Sequence, residues 1–305
     1  MFYENEYYAH ILKGDLVGAI GYVKQFPEQA ALYRRYMDVF DKEQYLTYEI
    51  AEPLSDILRA YQRYYRDVFY LRAGKDEAAD MLRSRLAVLV HVGGKHIRLD
   101  DMEREQVAGA FQRGGFHFLG GKTGGYYGPY VWKTTETKTY DVQLPEGTQP
   151  YTVKLLDGFL MKSWLDALSF GKIGTGGWTD DNGFIHCVKT SYDLDSEDFR
   201  VSLLKHEAQH ARDLTLRPDM SSAQLEYRAK LVELIYSAER NLLERFAREA
   251  DRSAEGNGHA LASYRIISDY CRLLDKTAGE LFSLSTEQVQ SIARRLFEKS
   301  GSPPG

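Results

Sequence analysis

The stretch LLKHEAQHARDL, residues 203–214, carries two histidines four residues apart and a glutamate directly after the first histidine. Residues i and i+4 of an α-helix lie one turn apart on the same face, so His206 and His210 can direct their imidazoles at one metal ion. Glu207 lies further around the helix, where its carboxylate can take a proton from a water that the metal activates. This HExxH spacing predicts a helical zinc site with a catalytic base.

A chance match is the alternative, because a chain with eight histidines gives an accidental HExxH at a rate of order a few per cent. In a helical projection at about 100° per residue, the two histidines fall at the edge of a wide apolar arc, beside Phe199 and Leu203. Burial of two imidazoles and a carboxylate without partners would be costly, and a metal would compensate for that cost. The pattern therefore favours metal binding over an ordinary helix that binds no metal.

The motif resembles the zincin metallopeptidases, and among them the gluzincin branch. The resemblance is carried by His206, Glu207 and His210, preceded by a predicted strand and followed by a helix with a glutamate. It implies that the two histidines and the downstream glutamate bind Zn²⁺, that Glu207 is the general base, and that an edge strand before the motif helix pairs with the substrate backbone. The metzincin branch is excluded, since Asp213 stands where its glycine would be and Leu216 where its third ligand would be.

The helix after the motif, which contains SSAQLEYRAKLVEL at residues 221–234, offers Glu226 as the third ligand. Pro218 and the serines before this helix mark a tight connection, so the two helices are expected to run antiparallel. At about 1.5 Å rise per residue, His210 and Glu226 then lie at similar depths.

An ordinary solvated face is the competing interpretation of this glutamate. Glu226 shares its helical stripe with four further polar residues, Lys230, Glu233, Ser237 and Arg240. The stripe is narrow on an otherwise apolar helix, which suits a cleft, so we prefer Glu226 as the ligand over Glu233 and Asp213.

Further site residues are less constrained by the sequence. Asp213 is placed to steady one of the histidines. His259, Tyr264 and Arg265 follow the glutamate helix and are candidates for stabilising an oxyanion, although each also suits a surface or packing role. His186, on the strand before the motif, is expected to be structural, because Glu226 already completes a set of three metal ligands with the two motif histidines.

The order of the predicted elements indicates an α+β fold that is mostly helical. Residues 1–93 read as a helical N-terminal region, and residues 94–300 as a zincin-like catalytic domain with a small mixed β-sheet. The sheet is expected at about 115–190, including a hairpin around Pro145-Glu146-Gly147. The active-site helices are expected at about 196–251, and the C-terminal helices at 259–299.

Composition limits the partners and the compartment. The net charge of −5 gives no reason to expect nucleic acid or an anionic membrane, and the two cysteines form no CxxC pair. No segment approaches the roughly 20 apolar residues of a membrane span, and no signal peptide is evident, so we expect a cytoplasmic protein. The segment FLGGKTGG resembles a phosphate-binding loop, but Phe116 occupies the position of its first glycine.

These observations predict a zinc-dependent hydrolase, and specifically a metallopeptidase that acts on a peptide or protein. The alternative is a zincin-like binding or regulatory protein whose catalysis is vestigial. The sequence does not decide the substrate or the oligomeric state.

Overall fold

The computed structural model describes residues 1–93, 97–180, 182–254 and 257–301. The fold class is α+β and mostly helical, as predicted, with small mixed sheets. The chain divides into two compact units: Met1–Thr134 with Asp157–Thr175, and Thr135–Leu156 with Gly176–Gly305.

The first unit consists of helices with short strands. Its helices are α1 (Glu4–Leu12), α2 (Leu16–Val23), α3 (Ala30–Tyr36), α4 (Leu54–Tyr65), α5 (Lys75–Leu89), α6 (Leu99–Met102), α7 (Ala108–Arg113) and α8 (Ser163–Ser169). Its strands are β1 (His117–Leu119), β2 (Lys122–Thr123), β3 (Tyr126–Tyr127), β4 (Tyr130–Trp132) and β7 (Met161–Lys162). β4 pairs antiparallel with both β1 and β7, and β2 pairs with β3.

The second unit contains the sheet that supports the motif helix. Its strands are β5 (Thr134–Leu144), β6 (Gly147–Asp157), β8 (Gly177–Thr179) and β9 (Ile185–Val188). Their order in the sheet is β5-β6-β9-β8; β6 and β9 run parallel, and β8 is antiparallel to β9. The predicted hairpin is therefore present as β5 and β6. The strand before the motif helix, β9, lies inside the sheet rather than at its edge; β5 and β8 are the edge strands, and β8 is the one that pairs with β9.

Helices cover this sheet and supply most of the second core. They are α9 (His206–Leu216), α10 (Ser222–Tyr236), α11 (Leu242–Glu249), α12 (Gly258–Leu274), α13 (Ala278–Leu281) and α14 (Thr286–Ser300). A π-helical segment, Asp198–Lys205, leads directly into α9. Buried side chains of the sheet pack with those of α9, α10, α12 and α14 in one hydrophobic cluster.

The glutamate helix is shorter than predicted. The sequence indicated helix as far as about residue 251, but α10 ends at Tyr236 and α11 begins at Leu242. The break is held by a tertiary contact: Glu197 accepts hydrogen bonds from the Ser237 hydroxyl at 2.6 Å and from the Ala238 backbone N–H at 2.8 Å. These bonds give hydrogen-bond partners to polar groups of the chain just after the C-terminal end of α10.

The division into units differs from the predicted boundary at residue 93. Residues after that boundary, among them Phe111, Val131 and Trp164, belong to the same hydrophobic cluster as α1 to α5. Part of the predicted sheet region therefore packs with the N-terminal helices, and the first unit is discontinuous in sequence. Residue 94, where the second predicted domain begins, lies outside the described residues.

Among the described residues, no helix combines the length and the apolar character needed to cross a bilayer.

Candidate metal centre

Three side chains from two neighbouring helices converge in the second unit. His206 and His210 come from the first two turns of α9, and Glu226 from the start of α10, which packs against α9. The two Nε2 atoms are 2.9 Å apart. Glu226 Oε2 lies 3.3 Å from His206 Nε2, and Glu226 Oε1 lies 3.5 Å from His210 Nε2. Their potential ligand atoms all lie within 4.8 Å of one another.

These separations fit the donor set of a zinc ion. Tetrahedral ligands at about 2.0–2.1 Å from zinc are separated from each other by roughly 3.3 Å. Glu226 Oε2 is buried and makes no hydrogen bond of acceptable geometry, and His210 Nδ1 is also buried without a partner. Glu226 Oε2 lies 3.3 Å from His206 Nε2 and 3.0 Å from His259 Nδ1 without a well-aligned hydrogen bond to either. Because buried polar atoms normally have partners, this arrangement favours a cation beside the oxygen.

Glu233 fixes the orientation of the first histidine. Its Oε1 lies 2.7 Å from His206 Nδ1, on the side of the ring opposite to His210 and Glu226. Donation of the Nδ1 proton to this carboxylate leaves the lone pair of Nε2 directed at the other two side chains. Glu233 therefore orients the His206 imidazole, which is the role that a carboxylate commonly has beside a metal-binding histidine.

The polar stripe of α10 is an internal feature. Lys230 and Glu233 are buried, and the side chain of Glu226 is only 12% exposed. Lys230 pairs with Glu249 at 2.7 Å. The stripe is therefore not a solvated face, which was the competing interpretation of Glu226.

A capping box sets the start of the glutamate helix. The Ser221 hydroxyl accepts from the Gln224 backbone N–H, and the Gln224 side chain accepts from the Ser221 backbone N–H. This arrangement satisfies two backbone donors that the first helical turn would leave without partners.

The charge around the histidines is strongly negative. Among the described residues, none of the carboxylates of Glu207, Glu226 and Glu233 is paired with a lysine or arginine. Burial alone would lower the pKa of His206, but Glu226 and Glu233 outweigh this effect and raise it to about 10. Burial alone would raise the pKa of Glu226, but its neighbouring imidazoles, foremost His206, hold it well below its usual range. Surroundings that favour positive charge to this degree also favour a metal cation.

The Glu207 carboxylate contacts the edge strand β8, on a different side of α9 from the trio formed by His206, His210 and Glu226. The hydroxyl of Thr179, the last residue of β8, lies 2.8 Å from Glu207 Oε2 and 3.0 Å from its backbone oxygen. This contact connects the predicted general base to the edge of the sheet. Next to Thr179, the Trp178 ring stacks on His186, and His186 Nε2 lies 2.9 Å from Asp180 Oδ2, so His186 contributes to the packing of the strand.

His259 is the one oxyanion candidate that reaches the trio in the described residues. Its Nδ1 lies 3.0 Å from Glu226 Oε2, its ring stacks on His206 at 6.1 Å, and its side chain is 55% exposed. Asn257 caps α12 by accepting from the Ala260 N–H, which puts His259 in the first turn. A side chain at Gly258 would collide with Ser222, so this glycine permits the close approach of α12 to α10.

Asp213 does not contact either histidine within the described residues, contrary to the prediction. Its carboxylate is fully buried and accepts hydrogen bonds from Arg228 at 2.7 Å, Arg217 at 2.6 Å and Gln209 at 3.0 Å. The prediction failed because two arginines, one on α10 and one just after α9, compete for this carboxylate. Asp213 joins the two helices, and Glu233 takes the orienting role.

Tyr264 and Arg265 lie further along α12, and within the described part of the chain neither contacts His206, His210 or Glu226 as His259 does. Tyr264 is 38% exposed. The Arg265 guanidinium lies 4.1 Å from the centre of the Tyr227 ring and 3.9 Å from Asp269. Both positions suit packing at the surface of the helix.

Two contributors were missed by sequence reasoning. Thr179 lies 27 to 31 residues before the histidines, and no spacing rule connects a three-residue strand to the motif helix. Glu233 was considered only as a ligand, although its position seven residues after Glu226 puts it two turns along the same face.

Comparison with known proteins does not extend these findings. The chain matches no protein-family model, no curated protein and no solved structure.

Proposed function

We propose that the protein is a zinc-dependent hydrolase and specifically a metallopeptidase, with His206, His210 and Glu226 as the metal ligands. The convergence of these three side chains, two of them with buried atoms that lack partners, is the observation that carries the proposal. Three nearby carboxylates without lysine or arginine partners in the described residues add to it. The peptide substrate follows from the resemblance of the HExxH motif and from the edge position of β8, since an extended peptide can add to a sheet edge.

The protein side chains have distinct roles in this proposal. A bound Zn²⁺ would supply Lewis acidity, which lowers the pKa of a coordinated water and polarises a carbonyl. Glu233 keeps the His206 lone pair directed at the ligand position, and Glu226 supplies the negative charge. The Thr179 hydroxyl holds the Glu207 carboxylate by a hydrogen bond, so that the base is oriented before a substrate arrives.

Glu207 would transfer one proton through the reaction. Its carboxylate accepts a proton from the attacking water as the oxygen of that water forms a bond to the scissile carbonyl carbon. When the carbon–nitrogen bond breaks, Glu207 donates the same proton to the leaving amine. The products are a carboxylic acid and an amine, and Glu207 returns to its starting charge. We assign to His259 a hydrogen bond to the substrate, and its 55% exposed side chain beside Glu226 supports this assignment.

The test is the exchange of Glu207 for glutamine, which keeps the size of the side chain and removes the base. Wild type and Glu207→Gln, each loaded with one equivalent of Zn²⁺, would be incubated with a peptide mixture, and new termini would be identified by mass spectrometry. Glu244→Gln, at a partly exposed glutamate on α11 that pairs with Arg248, is the matched control. We expect cleavage by wild type and control, and a loss of at least about a hundredfold in Glu207→Gln with zinc retained.

Two results would contradict the proposal. Cleavage by Glu207→Gln at the wild-type rate would remove Glu207 from the reaction. Zinc binding without cleavage of any peptide by wild type would favour the alternative, a binding or regulatory protein whose catalysis is vestigial.

A further inference from the structure

A basic cavity lies in the second unit, between the ends of α9 and α14 and the helices α10 and α12. It has a volume of about 590 Å³. Its described lining includes four basic residues, Arg217, Arg228, Arg265 and Lys299, and one carboxylate, Asp219. No candidate metal ligand is among the described residues that line it. The basic cavity is therefore distinct from the metal centre, although both use α10.

Ion pairs hold the walls of the basic cavity in place. Arg228 is buried and donates to Asp213 at 2.7 Å and to Glu146 at 2.6 Å. It also donates to the Ser300 hydroxyl at 2.8 Å, at the end of α14. Arg217, just after α9, donates to the same Asp213 at 2.6 Å. These bonds tie the ends of α9 and α14 to α10, so little ordering of the walls is needed when a ligand binds.

The charge of Arg265 is only loosely compensated. Its Nε lies 3.9 Å from Asp269 Oδ2, which is too long for a hydrogen bond. That carboxylate already accepts from Arg272 at 2.6 Å and from the Tyr227 hydroxyl at 2.7 Å. The Arg265 side chain is 55% exposed, and its guanidinium lies over the Tyr227 ring, 4.1 Å from the centre. A guanidinium held over a ring keeps its N–H donors accessible to an anion.

Lys299 adds a second accessible positive charge. It is exposed and forms no ion pair within the part of the chain that the structure describes. Its flexible stem allows the ammonium to reach a ligand in the cavity that it lines. Together, Arg265 and Lys299 outweigh the charge of the exposed Asp219.

Stabilisation of helix ends is the ordinary role of basic residues such as Arg217 and Lys299. Both lie at the C-terminal ends of helices, where a cation interacts favourably with the free carbonyl groups. This role does not account for Arg265, which lies in the middle of α12 and lines the same cavity. The convergence of cations from separate helices therefore favours a shared anion.

The size and the remaining lining of the basic cavity indicate the kind of anion. Met220 and the Tyr227 ring contribute carbon surface. The volume lies within the range of small-molecule sites, about 300–1,000 Å³. A phosphate group carries close to two negative charges at neutral pH, and arginine binds it through two parallel N–H bonds. A phosphate on a small apolar body matches both the two accessible cations and the carbon surface.

We propose that the basic cavity binds a small organic phosphate. Its phosphate oxygens accept hydrogen bonds from Arg265 and Lys299, and its apolar body contacts Met220 and the Tyr227 ring. Arg217 adds positive charge at the end of α9. The site shares no described residue with the metal centre, so it stands whether or not the hydrolase proposal holds.

Phenyl phosphate is the probe, and benzoate is its singly charged counterpart with the same ring. Each would be titrated into the full chain by isothermal calorimetry at about pH 7.5, where the phosphate is a dianion, once with zinc and once after chelation. We expect saturable binding of phenyl phosphate in both preparations and at least about tenfold weaker binding of benzoate. Equal binding of the two compounds, binding of phenyl phosphate only in the presence of zinc, or no saturable binding would overturn the proposal.

Two substitutions locate the site. Arg265→Gln and Lys299→Gln each remove one donor and one positive charge, and each is expected to weaken phenyl phosphate binding by about tenfold or more. Arg248→Gln and Lys276→Gln, outside the described lining, remove the same charge and are the matched controls, which should bind as wild type does. All four side chains are at least partly exposed, so the variants are expected to fold. Wild-type affinity in Arg265→Gln and Lys299→Gln, or an equal loss in the controls, would refute the assignment.

Discussion

At the scale of single residues, Glu233 is the side chain whose role is most open to measurement. It holds the Nδ1 proton of His206, so Glu233→Gln keeps an acceptor but loses the charge that makes the imidazole a better ligand. We expect the affinity for Zn²⁺ to fall by about 10- to 100-fold, as measured by competition with a chromogenic chelator. Glu244→Gln should leave the affinity unchanged. Equal affinities of Glu233→Gln and wild type would show that Glu233 does not act through His206.

Glu103, in the first unit, makes stability depend on pH. Its buried carboxylate accepts from the Tyr61 hydroxyl and from the Gly121 N–H, and burial raises its pKa to about 7. The folded state thus holds a proton that the unfolded state releases from about pH 4.5 upwards. This contribution to stability is fully present below pH 4.5 and is lost as the pH rises from 4.5 to the folded pKa of about 7; the loss is about 3.5 kcal/mol at about 1.4 kcal/mol per pKa unit.

Glu103→Gln removes this ionisation. We expect its free energy of unfolding in urea to exceed that of wild type increasingly between pH 5 and pH 7, and to level off above pH 7, because only wild type has to bury an ionising carboxylate. The difference between the two proteins isolates Glu103 from other titrating groups. A constant difference across this pH range would contradict the role assigned to burial.

At the scale of elements, the start of α10 connects helix stability to the metal centre. Ser221→Ala breaks the capping box and is expected to cost about 1 kcal/mol of stability. Ser285→Ala breaks the equivalent box at the start of α14 and should cost a similar amount. Only Ser221→Ala should also weaken Zn²⁺ binding, since Glu226 lies in the second turn of α10. Zn²⁺ affinity is measured by chelator competition. Equal affinities in the two variants would show that the capping box of α10 does not affect metal binding by Glu226.

Local signals explain which elements could be predicted. The β5–β6 hairpin follows from alternating strand residues around Pro145-Glu146-Gly147, and the pair of histidines follows from the period of a helix. The short edge strand β8 has no such period, and the end of α10 contains no proline or glycine. Both depend on contacts with distant segments, such as the hydrogen bond from the Ser237 hydroxyl to Glu197. A local sequence pattern does not indicate such contacts.

At the scale of the whole molecule, each unit has its own hydrophobic cluster. Zinc that binds only the folded second unit stabilises that unit by mass action, about 2.7 kcal/mol at a hundredfold excess over Kd. We expect hydrogen exchange to slow on zinc addition for peptides of α9 and α10, and to stay unchanged for peptides of α4. Mass spectrometry of the exchanged peptides measures both, and uniform protection of the two regions would contradict this expectation.

The division into two units could not be predicted from the sequence, because the first unit is built from two separate stretches of the chain. The chain leaves the first unit at Thr134, builds the hairpin of the second unit, and returns to the first at Asp157. The amino-acid composition does not change at either of these two boundaries. The convergence of His206, His210 and Glu226, by contrast, could be predicted from the sequence, since the two histidines are four residues apart and the glutamate follows after a short connection.

The central claim is that His206, His210 and Glu226 together bind one divalent cation. The most direct measurement is the metal content of protein purified without a nickel column, by inductively coupled plasma mass spectrometry, for wild type and for Glu226→Gln. We predict about one zinc ion per wild-type chain and a large loss in the variant after dialysis against a mild chelator. Wild-type protein that contains no stoichiometric metal and takes up none from added Zn²⁺ would contradict the claim.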